Sequence, residues 1–160
     1  MLPGSQTPAY VRGHGLAPRQ YRRGKWAWTT DAGIRSWLVD DSRIELRVGG
    51  PYEWYFLTEA EPGSQGSEDC HVIGFQAPTM LTVTWNAPPH LAEARAQRTV
   101  VLLRLRPDDV DEGTRVEVTQ LGWGDGGQWD EAFDYFDAAW GRVLDRLRAY
   151  FNGEDELPEA

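Results

Sequence analysis

The sequence contains very little cysteine and histidine. Its 160 residues include one cysteine, Cys70, and three histidines. A single cysteine excludes an intramolecular disulfide framework, and three scattered histidines leave little for a metal cluster. We therefore expect no metal and no other cofactor, and we expect a reducing, cytoplasmic location.

Long apolar runs and an excess of positive charge are also missing. No run reaches the roughly 18 to 20 apolar residues of a membrane span, and no apolar stretch follows the start as in a secretory signal. The chain has 16 Lys and Arg residues against 25 Asp and Glu residues, a formal net charge of −9. This acidity argues against a surface that grips phosphates. The sequence predicts neither a membrane span nor a nucleic-acid partner.

Aromatic residues, by contrast, are abundant. The chain has 8 Trp, 6 Tyr and 5 Phe residues, and 41% of its residues are hydrophobic. A length near 150 residues favours one domain with a sizeable core. Eight tryptophans indicate either a large solid core or an aromatic-lined cavity, and composition does not decide between the two.

Charge divides the chain unevenly. Residues 1–25 hold five basic residues and no acidic residue, so the remainder has 11 basic and 25 acidic residues. This first segment is rich in Pro and Gly and has neither a helical nor an alternating pattern. We predict an irregular basic arm at 1–25, a domain at 26–152 and an acidic tail at 153–160. The arm could be a solvated terminus or a contact for an anionic partner.

The body of the chain has strand patterns followed by one helical pattern. Possible capping side chains at 29–31 predict short helices around them. At the end, apolar residues recur at steps of three and four from Trp129 to Phe151, which predicts one long amphipathic helix. Strands in an unbroken row predict an antiparallel sheet. Six strands are predicted from alternating or apolar runs, at 43–48, 52–57, 71–75, 81–85, 99–106 and 114–119.

Several short segments, in order, resemble one protein family. The segments are Trp-Thr-Thr at 28–30, Ile-Arg-Ser-Trp-Leu at 34–38, Gly-Gly-Pro-Tyr-Glu-Trp at 49–54, Pro-Thr-Met-Leu-Thr-Val-Thr-Trp at 78–85, Gly-Thr-Arg-Val at 113–116 and Gly-Trp at 122–123. Each is weak alone, but the ordered set over residues 26–152 is similar to the Activator of Hsp90 ATPase homologue 1-like family. That family belongs to the START-like (SRPBCC) superfamily.

The resemblance implies an α+β helix-grip fold. In that fold a curved antiparallel sheet wraps around the long C-terminal helix, with an apolar cavity between them. Family members also begin with a first strand, for which the Arg-, Gly- and Pro-rich segment before Trp26 has no clear pattern. The sequence leaves open whether this strand is degenerate, missing or replaced.

The inward faces of the strands and the helix supply a candidate ligand cavity. Alternation along the strands, the apolar stripe of the helix and the family resemblance together suggest its lining. The candidate residues are Tyr52, Trp54, Phe56, His71, Val83, Trp85, Leu103, Val118, Phe133, Phe136 and Trp140. Large aromatic side chains could also fill this space completely, so a solid core and a lined cavity both remain open.

Three functions follow from the residues and the resemblance. The first is the binding of a small hydrophobic or aromatic molecule in the cavity. The second is a co-chaperone-like module that acts on an Hsp90-type ATPase, which would suit a stress response. The third is a polyketide cyclase or dehydratase-like enzyme in which His71 or a buried tyrosine moves protons. Because no nucleophile, base and orienting residue stand out together, we assign no catalytic residue.

Overall fold

The chain forms one main antiparallel sheet, a two-stranded hairpin and a long final helix. This computed structural model describes residues 9–12, 18–107 and 114–153. The elements are β1 (Ala9–Arg12), α1 (Pro18–Thr29), α2 (Asp31–Arg35), β2 (Asp41–Ile44), β3 (Tyr52–Tyr55), β4 (Val72–Gln76), β5 (Met80–Trp85), α3 (Ala92–Arg95), β6 (Thr99–Pro107), β7 (Thr114–Leu121) and α4 (Gln128–Asn152). The main sheet has the order β1-β7-β6-β5-β4, and β2 pairs with β3. The predicted α+β helix-grip architecture is confirmed.

Backbone hydrogen bonds join the hairpin to the edge of the main sheet. The Gly49 N–H donates to the Val72 carbonyl, and the Val72 N–H donates to the Gly50 carbonyl, each at 2.8 Å. The Tyr52 N–H donates to the Cys70 carbonyl, also at 2.8 Å. The strand surface therefore continues from β4 into β3, and this continuation carries the aromatic residues of β3 towards α4.

Helix α4 buries one face along most of its length. The buried residues follow the predicted spacing: Trp129, Ala132, Phe136, Trp140, Val143, Leu144, Leu147 and Ala149. The helix ends at Gly153, which has a φ of 69° and donates its N–H to the Ala149 and Tyr150 carbonyls. At 1.5 Å per residue its length is about 37 Å. Among the described residues, no helix is long and apolar enough to cross a membrane.

The prediction for the N-terminal segment was wrong in two places. Residues 9–12 form β1, which pairs with β7 from Ala9↔Val118 to Arg12↔Arg115. Residues from Pro18 onwards form α1, and proline suits the first turn of a helix. A four-residue strand is too short for alternation to distinguish it from loop. Residues 1–8, 13–17 and the predicted acidic tail from 154 lie outside the described residues.

The strand predicted at 43–48 begins and ends earlier than expected. Strand β2 spans Asp41–Ile44. Beyond it the Arg47 N–H donates to the Glu45 carbonyl and the Gly50 N–H donates to the Arg47 carbonyl, so the backbone turns. Val48 is consequently 71% exposed. The charged-apolar alternation continued past the strand into this turn, and the sequence pattern could not show the change.

Hydrogen bonds of one buried amide tie α4 to the sheet. The Trp140 Nε1–H donates to Gln120 Oε1 at 2.8 Å, and Gln120 Nε2 donates to Thr99 Oγ1 at 2.9 Å. Gln120 is on β7 and is buried. Because both the oxygen and the nitrogen of the Gln120 amide make hydrogen bonds, the indole of Trp140 is held in a fixed position against β6 and β7.

Replacing Gln120 tests this link. We expect Gln120→Leu to lower the free energy of unfolding by about 1 to 3 kcal/mol, because the Trp140 N–H would be left buried without an acceptor. Urea unfolding measures the change. Thr119→Val, at the neighbouring half-buried position of β7, is the control and should change stability much less. Equal effects of the two substitutions would contradict the proposed role of the amide.

Candidate ligand-binding site

Most of the predicted cavity residues meet in a tightly packed cluster, which we call the inner cluster. Its ring centroids are close: 4.8 Å from Trp54 to Trp85, 5.8 Å from Trp85 to Trp140 and 5.7 Å from Trp28 to Trp54. The cavity that remains between the rings has about 10 Å³, which is space for about one water molecule. Seven predicted residues line it, namely Tyr52, Trp54, Val83, Trp85, Leu103, Val118 and Trp140. At this place the aromatic side chains form a solid core.

The polar atoms of the inner cluster differ in whether they find a hydrogen-bond partner. The Tyr52 hydroxyl donates to the Trp28 carbonyl at 2.6 Å, and burial raises the pKa of Tyr52 above its usual value, so the phenol stays protonated. Beside the cluster, the ring of Trp37 packs 5.1 Å from that of Trp28, and its indole donates to the Ala27 carbonyl at 3.0 Å. The indole N–H groups of Trp28 and Trp54 are buried and have no acceptor among the described residues.

A larger space, which we call the outer pocket, lies between α4 and two loops, the loop from β3 to β4 and the loop after β5. Its volume is about 260 Å³. Trp85 lines both this pocket and the cavity in the inner cluster. Phe56 and Phe136 are the other predicted residues that line it. The remaining lining residues are Leu57, Ser64, Gln65, Gly66, Ser67, Asn86, Ala87, Pro88, Pro89, Arg95, Tyr135, Ala139, Arg142 and Val143.

The wall formed by residues 64–67 is held close to β3. The Ser67 N–H donates to the Trp54 carbonyl at 2.9 Å, and the Trp54 N–H donates to Ser67 Oγ at 2.7 Å. A Cβ atom on Gly66 would lie 1.9 Å from the Trp54 carbonyl oxygen. Only glycine therefore permits this approach. The wall is a fixed part of the fold, since its backbone continues the hydrogen bonding of β3.

Arg95 connects this wall to the loop after β5. Its guanidinium donates to the carbonyls of Ala87, Gly63 and Gly66 at 2.5, 2.7 and 2.9 Å. Its Nη2 also lies 3.6 Å from Glu68 Oε1. Burial lowers the pKa of Arg95 from its usual value, and the Glu68 carboxylate opposes that shift. One side chain thus positions both loops that face α4.

Two predicted site residues lie outside both spaces. His71 is exposed, and its backbone N–H donates to Thr84 Oγ1 at 2.9 Å. The predicted place of His71 in the cavity is wrong because Cys70 and Val72, on either side of it, point inward. Phe133 lies at the edge of the helical stripe, where its ring packs 5.2 Å from that of Trp123. Its predicted place in the cavity is also wrong.

Cys70 contributes to the core rather than to a reactive site. It is fully buried. Burial raises the pKa of its thiol to about 12, so the neutral thiol persists near pH 7 and little of the nucleophilic thiolate forms. Among the described residues, no group of three His, Cys, Asp or Glu side chains is placed to hold a metal ion.

Sequence reasoning missed most of the outer pocket. Ala139 and Val143 lie three and seven residues after Phe136, so the helical periodicity could have placed them on the same face. Residues 64–67 and 86–89 carry no comparable signal. Their position depends on loop hydrogen bonds to Arg95 and Trp54, which are distant in sequence.

Replacing Arg95 tests its role in holding the pocket wall. We expect Arg95→Lys to lower the free energy of unfolding by about 2 kcal/mol, because one ammonium group cannot reproduce the guanidinium fork that reaches several carbonyls. Amide hydrogen exchange at residues 63–67 should also accelerate. Arg104→Lys, at an exposed position of β6, is the matched control. Unchanged exchange at 63–67 in Arg95→Lys would contradict this role.

Solved structures with this fold come from several bacteria. A Mesorhizobium loti protein is 20% identical with a TM-score of 0.68, and the match covers 94% of this chain and 99% of that one. A Nitrosomonas europaea protein is 15% identical with a TM-score of 0.64 and coverages of 92% and 96%. An Arthrobacter aurescens protein is 14% identical with a TM-score of 0.66 and coverages of 96% and 90%. At these identities the likeness shows the fold.

The family comparison is more specific. A search of curated protein sequences finds no match. The model of the family described as Activator of Hsp90 ATPase homolog 1-like protein matches residues 26–152. These residues contain all the described strands except β1, together with helix α4 and both cavities. The chain therefore belongs to the Activator of Hsp90 ATPase homolog 1-like family of the START-like superfamily, as its sequence predicted.

Proposed function

We propose that the protein binds one small, mainly apolar molecule in the outer pocket. The observation that carries this proposal is the contrast in size between the two spaces, about 260 Å³ outside and about 10 Å³ inside. Pockets for small ligands usually have about 300 to 1,000 Å³, apolar walls and a few polar groups. A pocket just below that range suits a compact ligand.

The walls of the outer pocket offer apolar contact from separate elements. Phe136 and Ala139 of α4 line the space together with Trp85 of β5 and with Pro88 and Pro89 of the loop after β5. Tyr135, at the rim, is 41% exposed. A ligand that covers these side chains would remove apolar surface from water, at about 25 cal/mol per Å².

Asn86 supplies a polar group at the pocket wall. Its Nδ2 donates to the Gly66 and Glu68 carbonyls at 3.1 and 3.3 Å. Its Oδ1 accepts no hydrogen bond from the described residues, and it is not among the buried atoms without a partner. The amide is thus fixed through its nitrogen, while its oxygen is available to a hydrogen-bond donor on the ligand.

The neutral dye N-phenyl-1-naphthylamine tests binding in this pocket. We expect its fluorescence to rise on mixing with the protein, because its rings would leave water for an apolar site. Ala139→Trp should weaken this binding at least about tenfold, since an indole would fill the pocket from α4. Ala138→Trp adds the same side chain at the neighbouring exposed position and should leave binding unchanged.

Two results would contradict the proposal. One is the absence of binding to the unaltered protein by fluorescence and by calorimetry. The other is equal binding to Ala139→Trp and Ala138→Trp, which would place the dye elsewhere on the protein. Melting curves of both variants confirm that each protein remains folded.

A second candidate function is an interaction with an Hsp90-type ATPase. It is favoured by membership of a family whose description names an activator of that enzyme. The acidic composition of this chain would suit a basic surface on a partner. The ATPase rate of an Hsp90-type chaperone, measured with and without the protein, tests this candidate. A raised rate would support it, and an unchanged rate at saturating protein would remove it.

The third candidate, a cyclase or dehydratase, loses His71, which is one of the two kinds of proton-transferring group that the sequence suggested. His71 lines neither the outer pocket nor the cavity in the inner cluster, because its side chain faces solvent. Proton transfer requires a base within hydrogen-bond reach of the substrate, directly or through one water molecule. The geometry therefore favours binding over this version of catalysis.

A further inference from the structure

We propose that the ligand of the outer pocket is a small carboxylic acid whose carboxylate binds Arg142. This inference rests on the proposed function and specifies the class of ligand. Its apolar body would lie against Trp85 and Phe136, and its carboxylate would lie at the solvent side, since Arg142 lines the pocket and is exposed.

The first argument is the charge of the pocket lining. Two arginines, Arg95 and Arg142, line the pocket, and no Asp or Glu among the described residues does so. This is unexpected in a chain with 25 acidic and 16 basic residues. The negative charge of the Glu68 carboxylate offsets the positive charge of Arg95, since Glu68 Oε1 lies 3.6 Å from Arg95 Nη2. The pocket therefore presents one positive charge that its own walls do not neutralise.

The second argument is that Arg142 is free to bind an anion. Several other arginines pair with carboxylates, for example Arg35 with Asp41 at 2.6 Å and Arg47 with Glu45 at 2.9 Å. Arg142 makes no ion pair or hydrogen bond with the described residues.

The sequence of α4 around Arg142 explains why the side chain is free. One turn before it stand Ala138 and Ala139, which carry no charge and leave space. One turn after it stands Asp145, which pairs instead with Arg148 at 3.6 Å. Residues three and four positions apart are the natural ion-pair partners on a helix. None of these positions neutralises Arg142.

The third argument is the chemistry of the guanidinium. Its planar donors match the two oxygens of a carboxylate and can form two parallel hydrogen bonds. Arg142 stands beside the apolar walls formed by Phe136, Ala139 and Val143. A ligand that fills the pocket would displace water from these walls, and lower local polarity strengthens an ion pair. An apolar molecule with one carboxylate therefore fits the site better than its neutral analogue.

A matched pair of competitors tests the proposal. 1-Naphthoate and 1-naphthalenemethanol share one ring system, and only the first is an anion. Each would be titrated against protein loaded with N-phenyl-1-naphthylamine, and its dissociation constant would be confirmed by calorimetry. We expect Arg142→Gln to weaken 1-naphthoate about five- to tenfold, which is less than a buried charge-assisted hydrogen bond would give, because Arg142 is exposed to solvent. The alcohol should change less than about twofold.

Two further variants test whether binding needs the positive charge at position 142, the guanidinium shape of that side chain, or any positive charge on the surface. Arg142→Lys keeps the positive charge without the fork, so it should restore part of the 1-naphthoate affinity. Arg104→Gln removes one positive charge at an exposed position of β6, where Arg104 makes no ion pair with the described residues. It should leave both competitors unchanged. Acetate at the concentration used for 1-naphthoate should not displace the dye, because it has almost no apolar body.

The outcomes distinguish this inference from the proposed function. If the dye and both competitors bind but Arg142→Gln weakens the two competitors equally, the carboxylate role is overturned and binding in the pocket stands. The same holds if Arg104→Gln reproduces the effect or if acetate displaces the dye as well as 1-naphthoate does. If neither the dye nor 1-naphthoate binds the unaltered protein, the proposed function fails and this inference fails with it.

Discussion

The packing of four tryptophan rings between the sheet and the final helix decides where empty space exists in this protein. Trp28, Trp54, Trp85 and Trp140 fill the interior that a helix-grip fold would otherwise leave open. Trp140 is fixed by Gln120, so the helix cannot easily shift along the sheet without breaking a buried hydrogen bond. Trp85 packs against Trp54 and Trp140 in the interior and also lines the outer pocket.

Because of this packing, the candidate ligand site lies at the rim of the fold and not in its interior, where the sequence predicted it. The inner cluster gives stability through aromatic contacts and leaves about 10 Å³. The outer pocket depends on loops whose positions are set by Arg95 and by the close approach of Gly66 to Trp54. Structure and binding are thus assigned to different residues, with Trp85 common to both.

The sequence predicted the regular parts of the molecule well. The apolar stripe from Trp129 to Phe151 predicted α4 to within one residue at each end. Alternation along the strands predicted that most residues of the inner cluster point inward. The sequence did not predict three irregular parts. Strand β1 is too short to show a pattern, and the alternation at β2 continues into a turn. The pocket loops have no periodicity, because their positions depend on hydrogen bonds to distant residues. Phe56 illustrates the limit, because β3 ends at Tyr55 and the next residue turns from the interior to the pocket wall.

The central claim is that ligand binds in the outer pocket while the inner cluster stays closed. A crystal structure of the protein with N-phenyl-1-naphthylamine tests it most directly. The account predicts density for the dye between Ala139 of α4 and Pro88, with the Trp140 indole still hydrogen-bonded to Gln120. Density for the dye among Trp28, Trp54 and Trp140, with that hydrogen bond broken, would contradict it.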